Sequence, residues 1–588
     1  SGILPIGIRF GPDGALYVAD WINGWGTKNY GRVWKLDVTK EKNDLAAIRQ
    51  ETKRLIQLDY ASQTEDMLYS MLSNADMRIR QKAQFELVNR TKKGLPMLTK
   101  AIDQTQSQLA RVHGVWGIGQ LARQDKTYAS TLMPLLKDKD SEIITQAAKM
   151  LGDARIATAG NDLIPLLKNA NPRVRFYAAE ALGRIAYADA VTPLMEMIAA
   201  NNDEDVYLRH AGVLALSRIG KVEPMVALAN NPSKALRTAA VLVLRRMKND
   251  NIAVFLNDKD EYIVAEAARG INDDLSIVGA LPALAAKLQD KSITSEVILR
   301  RAINAALRVG GDKELDLLIA FATRTDIKDD IKAEALATLG TWASPSLMDR
   351  VDGRHRGKIE RDPAGVRAKV SPYISNFLKE KNPETLIAVA GLLADLKITS
   401  ANAQLVQIYE GTEDAKVKGA ILPALNQLSY AQMDGMIKKG MDDKDETVRT
   451  VALGLLDNKN MTKETLPAVV SSIFTKGTVR EQQKMLEVLG KMDADKTQVI
   501  LDGLIDQLKD KKLSTNLSLE LKEAVDASGI ATLKTKMASL KPGATLLDEY
   551  AETMYGGNRF QGRNIFNNNS TAQCVRCHAI GGTGGAVG

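Results

Sequence analysis

The stretch DKDSEIITQAAKMLGD (residues 138–153) decides the fold of this chain, because three other stretches repeat its pattern without a gap. They are NANPRVRFYAAEALGR (169–184), DKDEYIVAEAARGIND (258–273) and DKDETVRTVALGLLDN (443–458). In each copy an apolar residue is followed by alanine at i+4 and by leucine or isoleucine at i+8, which is one face of an α-helix. The pattern predicts a helix with a buried apolar face in every copy.

A helix-capping residue precedes each of these apolar faces by three positions. The four capping positions hold Asp140, Asn171, Asp260 and Asp445. Their side-chain oxygens can accept a hydrogen bond from a backbone N–H left without a partner at the helix start. LMPLLK (132–137) and LIPLLK (163–168) stand before two of the caps and predict the end of a preceding helix. One repeat unit is therefore a helix, a short turn and a second helix.

Looser copies of this unit continue to about residue 492, for example LRHAGVLAL (208–216) and LRRAINAALRVG (299–310). Hydrophobic residues make up 45% of the chain and aromatic residues only 5%, a composition that suits closely stacked helices. Because no single unit can bury its own apolar face, the repeats predict an all-α fold, a HEAT or armadillo-like α-solenoid. We place the solenoid at residues 59–540, after a charged, helical linker at residues 38–58.

The charge and the hydropathy of the chain argue against nucleic-acid binding and against a membrane span. Lys and Arg total 79 against 71 Asp and Glu, and a net charge of +8 over 588 residues is too small a bias to indicate nucleic-acid binding. The longest apolar stretches, such as SIVGALPALAAKL (276–288), are shorter than the roughly 18–20 residues that span a bilayer. We expect no nucleic-acid partner and no membrane span in this chain.

The N-terminal residues break the helical pattern. GIRF (7–10), ALYVAD (15–20) and GRVWKL (31–36) are β-rich runs, and Gly-Pro-Asp-Gly at residues 11–14 is a strong turn signal. We interpret residues 1–37 as the last blade of a β-propeller whose earlier blades are absent, since so short a segment cannot form a propeller alone. Asp20 closes a strand, where an aspartate is more often a turn residue than part of a propeller's mouth.

All the cysteine of the chain lies near its C-terminus, in Cys574-Val-Arg-Cys577-His578. This is the attachment pattern of c-type haem. Two thiols one helical turn apart reach the two vinyl groups on one edge of the porphyrin, and the next imidazole becomes the proximal iron ligand. We predict that Cys574 and Cys577 are the thioether anchors, that His578 binds the iron, and that residues 541–588 begin a cytochrome c domain cut before its end.

The surroundings of the motif favour haem over other uses of two cysteines. RFQGRNIF (559–566) predicts a helix whose Phe560 and Phe566 pack against the ring, and a glycine-rich stretch follows the histidine. The glycines of this stretch are Gly581, Gly582, Gly584 and Gly585. A thioredoxin-like redox pair needs a βαβ setting that is not found here. The sixth iron ligand is open: Met554 is the near candidate, although methionine is more often a core residue.

A structural zinc site is the other alternative, and it requires four ligands. The chain has no further cysteine, and its other histidines, His113, His210 and His355, are scattered through the solenoid. For His113 and His210 we expect a packing role rather than a ligand or proton-transfer role. Arginines cluster near the motif and either face water or suit an acidic electron-transfer partner; they are Arg559, Arg563 and Arg576.

A long insertion interrupts the repeats at residues 349–362, DRVDGRHRGKIERD. It concentrates cations in a glycine-containing loop; they are Arg350, Arg354, Arg356, Lys358 and Arg361. A charge run is usually a solvated face. Because long patterned loops often carry function, docking of another domain or of an anionic ligand is the alternative.

The ordered set of motifs resembles a bacterial family of membrane-bound dehydrogenases. Members join a β-propeller like that of soluble quinoprotein sugar dehydrogenases of the sorbosone type, a HEAT-repeat middle and a C-terminal c-type haem domain. FGPDGALYVADW (10–21) is similar to the family's last propeller blade, VRFYAAEALGRI (174–185) to its solenoid helices, and CVRCHAIGGTGGAVG (574–588) to its haem start. WASPSLMDRVDGRHRGKIERD (342–362) is similar to a loop that interrupts the family's repeats.

The resemblance implies an oxidoreductase in which a pyrroloquinoline quinone in the earlier blades oxidises a sugar or another alcohol. The haem then passes electrons to a partner protein. No catalytic residue can be carried over, because the earlier blades supply the quinone pocket and the base, so whether this chain is itself an enzyme stays undecided. The alternative is a scaffold or glycan-binding protein whose haem only shuttles electrons. Haem attachment takes place outside the bacterial cytoplasm, so we expect a periplasmic or extracellular location.

Overall fold

The computed structural model describes residues 5–20, 31–38, 45–274, 276–540, 543, 545, 551–569, 571–580 and 584. These residues are mostly helical and form two compact units, Ser1–Asn249 and Asp250–Gly588. In each unit successive helix pairs stack on their neighbours, which is the arrangement of a HEAT-like solenoid. The predicted helical solenoid is confirmed in this form. The predicted boundaries at residues 37, 58 and 540 stay predictions.

The first unit contains three strands and a series of helices. The strands are β1 (Pro5–Phe10), β2 (Leu16–Asp20) and β3 (Arg32–Leu36). The helices are α1 (Ala46–Gln57), α2 (Glu65–Met71), α3 (Met77–Asn89), α4 (Leu95–Asp103), α5 (Gln108–Gln124), α6 (Ser141–Asp153), α7 (Gly160–Leu163), α8 (Pro172–Ile185), α9 (Val191–Asn201), α10 (Val206–Ile219), α11 (Glu223–Val226) and α12 (Lys234–Met247). Helix α1 lies within the predicted linker.

The second unit continues the helical pattern through the rest of the chain. Its helices are α13 (Glu261–Asn272), α14 (Leu281–Ala285), α15 (Glu296–Val309), α16 (Asp312–Ala322), α17 (Asp329–Gly340), α18 (Pro363–Val370), α19 (Ile374–Phe377), α20 (Pro383–Asp395), α21 (Asn402–Gly411), α22 (Ala415–Gln427), α23 (Met433–Met441), α24 (Glu446–Leu453), α25 (Leu466–Lys476), α26 (Val479–Lys491), α27 (Ala494–Lys509), α28 (Ser518–Ser528), α29 (Ala531–Ala538) and α30 (Arg559–Asn568).

The four quoted repeats form α6, α8, α13 and α24, and their caps lie where the spacing predicts. Each capping side chain accepts a hydrogen bond from the backbone N–H two residues later; the caps are Asp140, Asn171, Asp260 and Asp445. The apolar faces are buried: Ile143, Ala147 and Leu151 of α6 are all 0% exposed. Local capping and the i, i+4, i+8 pattern thus fix where these helices begin and which side they bury.

The segments before two of these helices differ from the prediction. Met133–Lys137 and Ile164–Lys168 form 3₁₀-helices, where the sequence predicts the end of an α-helix. Pro134 and Pro165 stand in the first turn of these segments, where a missing backbone N–H costs no helical hydrogen bond, so each segment can still begin a helical turn. Both segments still bury their paired leucines, as in Leu135 and Leu136.

Glycines let consecutive repeats approach closely. A Cβ atom on Gly152 of α6 would lie 2.6 Å from the Cα of Ala181 in α8, and one on Gly183 of α8 would lie 2.6 Å from the Cα of Ala215 in α10. Any side chain at these positions would push the neighbouring helix away. The glycine near the end of each such helix therefore sets the spacing between repeats.

The strands form an antiparallel sheet in the order β1-β2-β3, at the positions that the sequence predicts. Arg78 of α3 holds the sheet to the helices, since its Nη1 donates to the carbonyls of Phe10 and Gly11 at 2.9 Å each. Arg49 of α1 donates to the carbonyl of Asp13 at 2.8 Å. The described strands form one three-stranded sheet, and this sheet does not show a propeller.

Asp20 holds two strands together. Its Oδ2 accepts a hydrogen bond from Trp34 Nε1 at 2.9 Å and forms an ion pair with Arg32 Nε at 3.2 Å. Its side chain is only 1% exposed. The carboxylate of Asp20 is thus a buried cross-strand partner for β3, and its expected place at a turn or at a propeller's mouth stays a prediction.

Candidate functional site

The cysteine motif follows α30 and forms one helical turn. Cys574–Arg576 is a 3₁₀-helix, and the backbone N–H groups of Cys577 and His578 both donate to the carbonyl of Cys574, at 3.2 and 3.0 Å. We call residues 574–578 the Cys-His turn. Helical hydrogen bonds over three and four residues bring Cys574, Cys577 and His578 onto neighbouring positions of one turn, as the spacing predicts.

The two sides of the Cys-His turn differ in exposure. Val575 is 3% exposed, whereas Cys577 and His578 are exposed and Cys574 is half-buried. Neither cysteine forms a disulfide. Apolar side chains close by in the chain are also open to solvent: Ile580 is 50% exposed, and Ile565 of α30, the helix that packs on the turn, is 55% exposed. Cys577 and the imidazole of His578 are thus open to solvent, and so are apolar side chains nearby in the chain.

The packed side of the turn lies against the inserted loop of residues 349–362, which we call the 349–362 loop. Gly353 of this loop has φ of +67°, and a Cβ atom on it would lie 2.5 Å from the carbonyl oxygen of Val575 and 3.0 Å from the Cα of Arg576. Gly353 and the turn are thus in backbone contact. Gly584, with φ of +112°, approaches the turn too, near the carbonyl oxygen of His578.

A buried carboxylate organises the 349–362 loop. The side chain of Asp349 is 1% exposed and accepts hydrogen bonds from Arg356 Nε and from Asn304 Nδ2 of α15, at 2.9 Å each. The backbone N–H of Val351 donates to its other oxygen at 2.8 Å. A second carboxylate, Asp352, accepts from Arg356 Nη2 at 2.7 Å. These bonds fix the loop on the helices beneath it.

The electrostatics of this network shift the pKa values of its two carboxyl groups in opposite directions. Burial by itself raises the pKa of Asp349, but the Arg356 guanidinium and the hydrogen bond from Asn304 outweigh burial, so that this pKa lies below its ordinary value. Burial and then the neighbouring charge of Asp349 raise the pKa of Asp352. Burial and then Arg356 lower the pKa of Arg308. Asp349 is therefore the anion around which the loop is built.

Every cation that the sequence places in the loop has a partner within the chain. Arg350 pairs with Glu334, Arg354 with Asp274 and Lys358 with Glu360. Arg356 pairs with Asp349 and Asp352, and Arg361 donates to the carbonyls of Trp342 and Leu307. These pairs hold the loop in place instead of presenting free cations to an anion. The geometry shows contact with other segments of the same unit; the expected solvated face and its alternative, docking of another domain or of an anionic ligand, stay predictions.

The residues of the Cys-His turn fit a covalent haem by their chemistry. Both thiols are free, the imidazole is exposed, and the apolar side chains near them would be covered by a macrocycle. Among the described residues no group of three or more His, Cys, Asp or Glu side chains is arranged to hold a metal ion. That result concerns ions held by several side chains, whereas the iron of haem is held mainly by the porphyrin.

The other residues singled out in the sequence are dispersed. Met554 is 75% exposed, and His210 and His355 are exposed. Phe566 is half-buried on α30, whereas the side chain of Phe560 lies outside the described residues, as do Gly581, Gly582 and Gly585. Arg563 and Arg576 are exposed. No contact among the described residues assigns the sixth iron ligand.

His113 is a buried structural histidine. It is 2% exposed; its Nε2 accepts from Arg80 Nε at 3.1 Å, and its Nδ1 is 2.7 Å from Gln84 Oε1. Burial and then the Arg80 charge lower the pKa of His113 to about 4, so the ring is neutral at pH 7. The ring of Trp116 packs edge-on at 5.0 Å. This environment agrees with the packing role that the sequence predicts for His113.

Two features of the site were missed by sequence reasoning. The contact between Gly353 and the Cys-His turn joins residues far apart in the chain, and the sequence signal for it is only a glycine in a patterned insertion. Asn304 lies inside a repeat helix, where nothing in the repeat pattern marks it as a partner of Asp349. Both depend on how the helices stack.

One family model supports the helical part of this description. A family model of HEAT repeats matches residues 160–245. The chain is similar to importin beta, with 11% identity over 86% of this chain and 78% of that chain and a TM-score of 0.39. It is similar to Kap121p, with 12% identity over 86% of this chain and 55% of that chain and a TM-score of 0.39.

A third similar structure is the complex of CpcE and CpcF of phycocyanin lyase from Nostoc sp. PCC7120, with 20% identity, a TM-score of 0.24, and coverage of 41% of this chain and 92% of that chain. The comparison with curated protein sequences found no match. In the part of the chain that the structure describes, no helix is both long and apolar enough to cross a bilayer. The HEAT-repeat match agrees with the stacked helix pairs, and the structural similarities carry no argument about function.

Proposed function

We propose that this chain carries a c-type haem attached to Cys574 and Cys577 and transfers electrons through it. One observation carries the proposal: a single helical turn holds both free thiols and the imidazole of His578, with Cys577 and His578 exposed on its open side. Two thiols three residues apart followed at once by histidine are the attachment pattern of c-type haem. Cys574 is half-buried and Cys577 is exposed, but both lie on the same turn.

Each residue of the turn has a defined task. The S–H groups of Cys574 and Cys577 would each add across one vinyl group, with sulfur bonding to one carbon and hydrogen to the other, so that no atom leaves and no oxidant is needed. His578 would bind the iron through its neutral imidazole. Bound haem supplies a one-electron couple. The chain's own contribution is to hold these three groups on a turn whose other side is packed against protein.

The wider proposal places this electron transfer in an oxidoreductase. The resemblance of the N-terminal and C-terminal motifs to quinoprotein dehydrogenases supports a sugar or another alcohol as the substrate and a pyrroloquinoline quinone as the first electron acceptor. Haem would then pass electrons to a partner protein outside the cytoplasm, where haem is attached in bacteria. The described three-stranded sheet supplies no quinone site, so this part rests on the resemblance.

The test is expression of the chain in a periplasm that contains haem-maturation machinery, followed by intact mass and the reduced-minus-oxidised visible spectrum. We expect a mass increase equal to one haem and sharp reduced bands. Replacing Cys574 and Cys577 together by alanine should abolish the mass increase, because no thiol is left to add to a vinyl group, and Arg576→Ala, an exposed residue of the same turn, is the matched control that should keep both signals. An unmodified wild-type mass, or a covalent mass increase in the double variant, would contradict the proposal.

A scaffold function is the second candidate, and a groove in the second unit favours it. The groove has a volume of about 620 Å³ and runs between α22, α24 and α26 on one side and α30 on the other. Among the described residues that line it, none is acidic; its cations are Lys416, Arg480 and Lys484, of which Lys484 also pairs with Glu487, and its apolar residues include Ala420, Pro423 and Val451. Its charge and apolar residues suit an extended acidic peptide with apolar side chains.

Fluorescence anisotropy with a labelled peptide of alternating glutamate and leucine tests this second candidate. Replacing both Lys416 and Arg480 by alanine should weaken binding at least about tenfold. Lys444→Ala is the control, because Lys444 is an exposed cation of the same unit that pairs with Glu413 and does not line the groove. Equal binding by all three proteins would exclude the groove as the peptide site.

A further inference from the structure

The C-terminal segment, residues 551–569 and 571–580, lies against the second unit at two glycines in the left-handed backbone region. A Cβ atom on Gly353 of the 349–362 loop would lie 2.5 Å from the carbonyl oxygen of Val575. A Cβ atom on Gly556, which has φ of +76°, would lie 2.4 Å from the carbonyl oxygen of Asn516. At each site, then, backbone packs directly on backbone, which leaves no room for a side chain.

The 349–362 loop is built to hold one shape. Asp349, Arg356 and Asn304 form its buried polar centre, and the backbone N–H of Gly353 donates to the carbonyl of Asp349 at 3.0 Å. The N–H of Arg356 donates to the carbonyl of Leu347 at 2.8 Å, which closes the loop on itself. A loop whose polar groups are satisfied by one another and by the segments beneath it presents a fixed surface to whatever packs on it.

We infer that the 349–362 loop is the docking surface for the Cys-His turn, with Gly353 as its positioning residue. The loop holds the backbone of Val575 and Arg576 and leaves Cys577 and His578 on the open side. The inference deepens the proposed function, on which it rests only for the statement that the turn carries haem; the docking itself is a property of the polypeptide. It follows that the haem is held at one place on the solenoid instead of on a free tether.

The loop contains its own control for this inference. Gly357 has φ of +85°, yet nothing lies within 4 Å of a Cβ atom placed on it. Gly357→Ala therefore places a Cβ atom in the same left-handed backbone region of the same loop as Gly353→Ala does, and so causes similar backbone strain. Unlike Gly353→Ala, it brings no atom against the Cys-His turn. Alanine at Gly353 adds both the strain and the collision with Val575. A difference between the two variants reports the contact and not the loop's stability.

Hydrogen exchange measured by mass spectrometry tests the docking, in the full chain with Cys574 and Cys577 both replaced by serine so that no haem can attach. In Gly353→Ala we expect exchange in peptides covering residues 571–580 to accelerate about tenfold relative to the parent, as for a segment released from its contact. In Gly357→Ala we expect the rates in these peptides to stay within about twofold of the parent. Equal rates in the two variants would overturn the inference.

A variant on the other side of the contact makes the test reciprocal. Val575→Asp places a charge at a position that is 3% exposed and should release the turn. Exchange should then accelerate in peptides covering residues 349–356 as well as in residues 571–580. Acceleration in residues 571–580 alone would show that the loop does not contact the turn, which also overturns the inference. Because the variant without Cys574 and Cys577 cannot attach haem covalently, failure here is separate from failure of haem attachment in the wild-type chain.

Discussion

Removal of the Asp349 carboxylate is the sharpest perturbation of the candidate site. Asp349→Ala takes away the acceptor for Arg356 Nε, for Asn304 Nδ2 and for the backbone N–H of Val351. Breaking a buried ion pair on one side costs about 3–5 kcal/mol. Arg356 keeps Asp352 as a partner at 2.7 Å, so we take the lower end of this range, about 3 kcal/mol.

A loss of about 3 kcal/mol raises the equilibrium constant for local opening of the loop by roughly 150-fold. Native-state hydrogen exchange of the Gly353 and Arg356 amides measures this opening, because both donate to carbonyls within the loop region. Glu360→Ala is the matched control in the same loop. Glu360 pairs only with Lys358, both side chains are about two-thirds exposed or more, and such pairs contribute about 0–1 kcal/mol.

The reasoning also predicts where the effect stops. Opening of the loop removes the surface that contacts the Cys-His turn, so residues 571–580 should lose protection together with the loop, while α6 and α8 in the first unit should exchange at parental rates. If Asp349→Ala and Glu360→Ala accelerate the loop amides to the same extent, the buried carboxylate does not organise the loop and the argument is refuted.

The remaining predictions concern the solenoid. His113 has a folded-state pKa of about 4 against an ordinary value of 6.5, so on acidification the unfolded chain binds the proton first. The contribution of the neutral His113 ring to the free energy of unfolding should be fully present above pH 6.5 and should fall by up to about 3 kcal/mol as the pH drops to about 4. Denaturant midpoints of wild type and His113→Gln at several pH values measure this, and parallel pH profiles would refute it. Gly183→Ala should lower stability by about 1–2 kcal/mol, because its Cβ would meet the Cα of Ala215 and that collision exceeds the gain in helix propensity. Gly391→Ala in α20, where nothing lies within 4 Å, should raise stability by about 0.5–1 kcal/mol; thermal melting that ranks the two variants in the opposite order would contradict this account of repeat spacing.

The helices were predictable because the interactions that define them are local. The cap of α8 at Asn171 and its buried Val174, Ala178 and Leu182 lie within one short stretch, so the sequence contains the whole pattern. The departures occurred in the short segments between the capped helices, such as Met133–Lys137, which form single 3₁₀ turns in place of the end of an α-helix.

The candidate site divides in the same way. Cys574, Cys577 and His578 were identified because their spacing is a property of one helical turn, and the turn has the hydrogen bonds that this spacing requires. Their attachment to haem stays a prediction, as do the propeller, the oxidoreductase activity and the periplasmic location. The role of the 349–362 loop was open between a solvated face and the docking of another domain or of an anionic ligand, since a list of its arginines does not say which carboxylates face them.

The sequence by itself determined the repeating helix, its caps, its buried face and the chemistry of the Cys-His turn, because each depends on residues within a few positions of one another. Only the tertiary structure decided that Asp349 of the loop is held by Asn304 of α15 and that Gly353 lies against Val575. Such contacts depend on how successive repeats stack, and stacking is the sum of many small packing distances like that between Gly152 and Ala181. No single residue pattern records that sum.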